Sequence, residues 1–322
     1  MTTAIAPAYG TAEWQADRRN YIGASDMPKL CGVSPYGGPL DLYYEKKGLI
    51  VVEENAAVRR GHIYEPAIAA EYAMLYPDAR LESSSTIAHP DAGWLRATID
   101  RIAVTAYGAH GVEIKLVTPR QIDRYGPTGS DEVPDDKLVQ VQTQMLVLDL
   151  PMVHLVVNFG FETRVFPIAR DRETQQMLFD SAHEFWHKYI LADVEPAPVI
   201  GRDSETVMKK KYSTHTDGVV DADELAAAVI AAFAKAKADK KDAEDREDTA
   251  RQQLMAIIGH HAALDGAAAG RVSWTETKGK ASFDVEGLIR DLKIPEDVTQ
   301  RYTRVGAPYR TMRYSPSKQR KS

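Results

Sequence analysis

Apolar residues return at helical spacing in the first 80 positions and at every second position through the middle of the chain. That change of period divides the sequence into elements. A turn-rich cluster, GVSPYGGP at residues 32–39, separates a short helix near Ser25 from another beginning at Leu40. Ile63, Ala67, Ala70 and Met74 mark one face of a longer helix. Proline is tolerated in a first turn, so Pro66 predicts that this helix starts near Tyr64. From 85 to 117 two runs rich in β-branched residues flank the turn TAYGAHG and predict a hairpin, with Asp100 ending one strand and residues 112–117 forming the next. The segment 136–150 predicts a helix with the face Leu138, Val141, Met145 and Leu148. Two strands, VHLVVNFG and ETRVFPIA, follow it. A helix over 171–192 leads to Pro196, Pro198 and Gly201, which predict a boundary between a domain 1–200 and a second part, 201–322. Residues 222–258 read as one long helix, alanine-rich and then charged. Its opposite charges four apart, Lys240 with Glu244 and Lys241 with Asp245, suit a solvated spacer or an oligomerisation arm. The last segment is a small mixed unit. Strands between helices place the chain in the α/β class, with a C-terminal long-helix arm and a small α+β unit.

Composition narrows the function classes. With 322 residues, 44% hydrophobic and 27% charged, the chain is long enough for roughly two domains and is neither collagenous nor disordered. One cysteine, Cys31, excludes an internal disulfide and a zinc ribbon and suits a reducing compartment. The longest apolar stretch, 145–157, is interrupted by Asp149, Pro151 and His154, and the first ten residues lack a secretory pattern, so no membrane is expected and the expected location is cytoplasmic. The net charge of −6 is uneven: residues 1–200 carry −9 and residues 201–322 carry +3. The last 22 residues hold seven basic and no acidic side chains. The total speaks against nucleic acid as a partner; the basic terminus speaks for it.

Three constellations carry chemistry. In a strand over 112–117 the period of two puts Glu113 and Lys115 on one face and Ile114 on the other, with Asp100 at the neighbouring strand end. Two carboxylates with a substrate phosphate make a sensible shell for magnesium, and a lysine beside them can orient the attacking water. Glu65, Gln140 and Gln142 offer further oxygen and amide groups to the same mouth. By spacing alone the pattern also fits a surface ion pair. The second constellation, His183, Glu184 and His187, spells the helical zinc signature H-E-x-x-H and admits a metalloprotease, with Glu195, Glu205 or His215 as third ligand. Lys188 follows it directly and the apolar Phe185, Trp186 and Ile190 explain the helix as packing. The third is the basic terminus, where Arg310 and Arg313 are candidate DNA contacts between Tyr302, Tyr309 and Tyr314. No P-loop motif occurs.

In order, RRNYIGASDMPKLCGVSPYGGPLDLYYEKKG, RRGHIYEPAIAAEYA, HPDAGWLRATIDRI, VEIKLV and VQVQTQM resemble the lambda exonuclease and YqaJ-type phage recombinase nucleases of the PD-(D/E)XK superfamily. The resemblance spans most of residues 18–150 and implies a restriction-endonuclease-like core, a central mixed β-sheet flanked by helices. It further implies an exonuclease, dependent on Mg2+ with Mn2+ as a substitute, that enters double-stranded DNA ends and degrades one strand from its 5′ side. The family's catalytic positions fall on Asp100, Glu113, Lys115, Gln140 and Glu65. The metal would be held by Asp100, Glu113, Glu65 and the backbone of Ile114. A 5′-phosphate pocket falls on Arg18 and Ser25, with Thr98 at a position where the family can carry serine and Arg19 as a substitute for Arg18. Asp26 would crowd that phosphate unless it turned away. The resemblance also implies a homo-oligomer, a ring and possibly a trimer, a partner single-strand annealing protein, and the bacterial host cytoplasm for a phage-encoded copy. A DNA-end-binding recombination module with a degenerate site is the alternative.

Overall fold

A computed structural model describes residues 11–51, 55–279 and 281–306. The chain divides into two compact units, meeting in sequence at Tyr212 and Ser213. The first contains α1 (Ala12–Arg18), β1 (Ile22–Gly23), a 3-10 turn (Ala24–Asp26), α2 (Met27–Leu30), α3 (Pro39–Lys46), α4 (Ala56–Leu75), β2 (Arg80–Ser83), β3 (Ile87–His89) and β4 (Ala92–Ala97). It continues with β5 (Arg101–Thr105), β6 (Gly108–Leu116), a 3-10 segment (Pro119–Arg124), α5 (Asp135–Leu148), β7 (Met152–Asn158), β8 (Thr163–Ala169), α6 (Arg172–Phe185), a π-helical extension (Trp186–Leu191) and α7 (Glu205–Lys211).

The central sheet has the order β2-β5-β6-β7-β8. It is mixed, because β6 and β7 run parallel, Gly111 beside Val153 through Leu116 beside Asn158, while the other pairs are antiparallel. A parallel pair needs a crossover, and α5 supplies it. Alternation along the strands feeds both faces. Val112, Ile114 and Val156 pack with Ile68, Ala69 and Tyr72 of α4. Val153, Leu155 and Val157 pack with Val141 and Met145 of α5. The expected α/β architecture, a central mixed sheet flanked by helices, is the one observed. A second sheet, β1-β4-β3, joins α2, α3, α6 and α7 around Met27, Leu40, Leu95, Phe185 and Val207.

Two local expectations need correction. The run taken for one hairpin is four strands: β5 and β6 form the hairpin, with Thr105 opposite Gly108, while β3 and β4 belong to the other sheet. Asp100 therefore lies in the bend between β4 and β5, not at a strand end. Helix α4 starts at Ala56 because the Asn55 side chain accepts from the Ala57 and Val58 N–H groups, and Pro66 lies inside it. Its buried face is Ile68, Ala69 and Tyr72 rather than the predicted one; Ile63 and Met74 are 68% and 81% exposed. The first unit also extends past residue 200, since Val207 of α7 is fully buried and Ser204 bonds to Asp41.

The second unit contains α8 (Glu224–Ile258), the antiparallel pair β9 (Ala263–Asp265) and β10 (Arg271–Ser273), α9 (Val285–Asp291) and α10 (Glu296–Tyr302). No described helix is long and apolar enough to cross a membrane.

Candidate active site

Strand β6 creates the site by outrunning its neighbour. Pairing with β5 ends at Val112, opposite Arg101, so beyond it that edge of β6 has no strand partner. There the Ile114 N–H donates to Asp100 Oδ2 at 2.7 Å. The carbonyl of a strand residue points to the same side as its N–H, so the Ile114 carbonyl faces the same open edge. Period-two alternation sends Glu113 and Lys115 to the face covered by α5.

Glu113 is 3% exposed and fully engaged. Its Oε1 accepts from Lys115 Nζ at 2.6 Å and from Gln140 Nε2 at 2.7 Å; its Oε2 accepts from Gln144 Nε2 at 2.7 Å. Burial, and then the charge of Glu113, push Asp100 up to about 7. Burial alone would lower Lys115, but Glu113 and Asp100 outweigh it and raise its pKa, so the side chain is a firmly held ammonium. Such a cation orients water or stabilises phosphoryl charge; it is no proton acceptor.

Gln144 escaped the sequence reading. Its amide also donates to the Thr98 carbonyl at 2.8 Å, tying Glu113 to the segment that carries Asp100. Its Oε1 is the one buried side-chain polar atom without a partner among the described residues. The available signal was its position four residues after Gln140, hence on the same helix face. Gln142 turns away: its amide bonds the Ala169 carbonyl and the Asp171 N–H, pinning α5 to the start of α6. Arg101, also unforeseen, donates to Glu65 at 2.8 Å. Glu65 is near enough to disfavour the charge on Asp100, but its carboxylate is drawn to Arg101.

Among the described residues no three His, Cys, Asp or Glu side chains gather round a point that could hold a metal. Asp100 and Glu113 nevertheless suit a magnesium-type ion, which needs only one or two carboxylates and completes its shell with water and substrate oxygens. The candidate ligand atoms there are oxygens, and burial, then the neighbouring Glu113, makes the Asp100 charge unfavourable without a cation.

The phosphate candidates flank the other sheet, in α1, in the 3-10 turn after β1 and just past β4. Arg18 Nη2 donates to Ser25 Oγ at 3.3 Å and to Asp26 at 2.5 Å. Asp26 does not turn away: it is buried, accepts also from Lys46 Nζ at 2.7 Å and from the Gly23 N–H, and these partners outweigh burial and hold its carboxyl far below the usual range. Two cations around one carboxylate leave one net positive charge. Arg19 packs over Gly48 instead, and Thr98 pairs its hydroxyl with that of Thr86 at 2.7 Å. The 3-10 turn bearing Ser25 packs on α5, the helix of Gln140 and Gln144.

The H-E-x-x-H histidines find no third ligand among the described residues. The rings of His183 and His187 stack at 4.0 Å, and His187 Nδ1–H donates to the His183 carbonyl. Glu184 pairs with Lys188, Glu195 with Lys211 and Glu205 with Lys209, and among the described residues neither these glutamates nor His215 gathers with His183 and His187 into a group that could hold a metal. Arg310 and Arg313 lie outside the described residues.

Residues 13–150 match the model of the YqaJ-like viral recombinase domain. Over 215 residues the chain is 26% identical to the uncharacterized protein YqaJ of Bacillus subtilis (strain 168), covering 65% of this chain and 66% of that protein, just under two thirds of its length. Among solved structures, the alkaline exonuclease LHK-Exo from Laribacter hongkongensis is 20% identical with a TM-score of 0.46, covering 57% of this chain and 95% of that one. A phage related exonuclease from Haemophilus somnus 129PT is 11% identical with a TM-score of 0.40, covering 54% and 96%.

Proposed function

We propose, from the match of residues 13–150 to the YqaJ-like viral recombinase domain, a DNA exonuclease that uses Mg2+, or Mn2+ in its place, to degrade one strand of linear duplex from the 5′ end. The observation that carries the reading is the open edge of β6, where Asp100 accepts the Ile114 N–H, Glu113 lies close enough to raise the Asp100 pKa, and Lys115 is held by Glu113. Asp100, Glu113 and the Ile114 carbonyl would hold the ion, with Glu65 joining if it leaves Arg101. The bound ion would supply Lewis-acid stabilisation of the phosphoryl oxygens.

The chain's own residues divide the remaining work. Lys115, kept cationic by two carboxylates, orients water towards phosphorus. Gln140 and Gln144 fix the plane of the Glu113 carboxylate, and Asp100 is fixed by the Ile114 N–H. Arg18 and Ser25 would anchor a terminal 5′-phosphate with the net charge that Lys46 provides, and Arg310 and Arg313 would follow the DNA backbone. The product, a single strand, suits phage-type recombination with a single-strand annealing partner. A ring-shaped homo-oligomer in the host cytoplasm completes the proposal.

The test is digestion of a linear duplex with 5′-phosphate ends and a label at one end. Loss of nucleotides from the 5′ side, requiring a divalent ion and abolished by Asp100→Asn and by Lys115→Ala, is expected. Activity that survives either substitution, or needs no metal, overturns the assignment; tight end binding without hydrolysis in magnesium or manganese favours the degenerate module.

A further inference from the structure

Helix α8 is 35 residues long with one buried residue, Ile258. At about 1.5 Å per residue it extends roughly 50 Å. Val229, Ala236, Ala243, Ala250 and Ile257 recur at every seventh position, and Leu225 and Ala232 add the four-three spacing at its first turns. All seven are exposed, Val229 at 61% and Ile257 at 63%. A seven-residue repeat keeps one stripe facing a partner helix over many turns, whereas a helix meant only for solvent has no use for it.

The flanking charges select the partner and its direction. Lys235 and Asp242 precede Ala236 and Ala243 on one flank; Lys240 and Glu247 follow them by four residues on the other. Side by side and parallel, two copies of α8 would set Lys235 against the partner's Lys240 and Asp242 against the partner's Glu247, repulsive at each point. Reversed, like flanks meet: Lys235 reaches the partner's Asp242, and Lys240 the partner's Glu247. The same register sets Phe233 on the partner's Leu254, Leu225 on the partner's Ile257 and Ala232 on the partner's Ala250. The helix is thus complementary to its own reverse in charge and in apolar position together.

We infer that α8 pairs antiparallel with α8 of a second copy of this chain. The ion pairs that Lys235, Lys240 and Asp242 make within the helix, with Asp239, Glu244 and Arg246, are exposed and contribute little, so exchanging them costs little. Asp239 and Arg246 interrupt the stripe at its centre. Polar groups there make the pairing reversible and concentration-dependent.

The test uses the full chain in two charge-reversed forms, K235E with K240E and D242K with E247K, followed by sedimentation equilibrium over a range of protein concentrations. Each form alone repels itself, so the concentration-dependent rise in particle mass that the natural chain shows through α8 is lost. An equimolar mixture of the two restores the natural mass, because every reversed charge then meets its opposite. Circular dichroism of each form confirms that the helix is intact. Unchanged mass in the reversed forms, no recovery on mixing, or a natural chain that shows no concentration-dependent rise in mass overturns the inference.

Discussion

Gln144 joins the Thr98 carbonyl to Glu113 through one amide, so it sets where the segment before Asp100 sits relative to the second carboxylate. Replacing it with leucine removes both donors while keeping the bulk. The digestion rate at saturating metal is expected to fall by about 10- to 100-fold, as for residues that support a metal ligand, with a rise in the metal concentration needed. A KM for duplex ends that stays constant separates this from general damage. A second residue-scale device lies away from the site, where the Tyr72 hydroxyl bridges His110 Nε2 at 2.9 Å and His154 Nδ1 at 2.7 Å. Burial, and then the neighbouring His110, push His154 down to about 4, and burial lowers His110 as well. A histidine with a depressed folded pKa stays neutral while the unfolded chain takes up its proton. Stability is therefore complete above about pH 6.5 and falls as the pH drops towards 4. Melting curves between pH 7 and 4.5 are expected to show this decline, and His154→Asn is expected to make its slope shallower by up to about one proton per chain.

Strand β6 is where element and site depend on the same packing. A Cβ at Gly111 would collide with Ile99, the residue before Asp100, and lie 2.9 Å from Val153 Cγ2 and 3.1 Å from Leu150 Cδ1. Gly111→Ala is expected to cost about 1 to 3 kcal/mol in a urea titration, with a loss of activity out of proportion to the unfolded fraction because Ile99 moves with Asp100. Much at this scale was legible. Alternation showed β7 and β8, and helical spacing showed α5 with its buried Val141 and Met145. Glu113 and Lys115 followed from period two. The bend at Asp100 was not legible, because alternating residues continue on both sides of it and only the change of sheet partner marks it. The start of α4 was misplaced because Pro66 outweighed Asn55, whose cap is stronger evidence than a single missing N–H. Gln144 was hidden in a run where glutamine stands at every second position, which disguises helical i to i+4 spacing as strand alternation.

Over the whole molecule, the unequal charge of the two parts is met locally. Around the candidate site the described cations are tied to carboxylates: Arg18 and Lys46 to Asp26, Lys115 to Glu113, Arg101 to Glu65. The acidic excess of residues 1–200 therefore says little about the path of a strand, and a divalent ion, not bulk charge, would make the site hospitable to phosphate. The limits of the first unit were only partly readable, because Pro196, Pro198 and Gly201 look like a linker while the chain beyond them returns to the core. Asp203 accepts the Leu40 N–H at 2.9 Å, Ser204 donates its N–H to Asp41 at 2.8 Å, and Val207 is fully buried among Leu40 and its neighbours. A chain cut after Tyr212 is expected to fold cooperatively and to keep metal-dependent digestion, since the Asp100 site and all three apolar clusters lie within it. A chain cut after residue 200 loses Val207 and leaves Asp41 and the Leu40 N–H short of partners, and is expected to be less stable by roughly 3 kcal/mol or more. Urea titrations of the two truncated chains side by side decide it: equal midpoints would mean that α7 contributes nothing to the fold of the first unit.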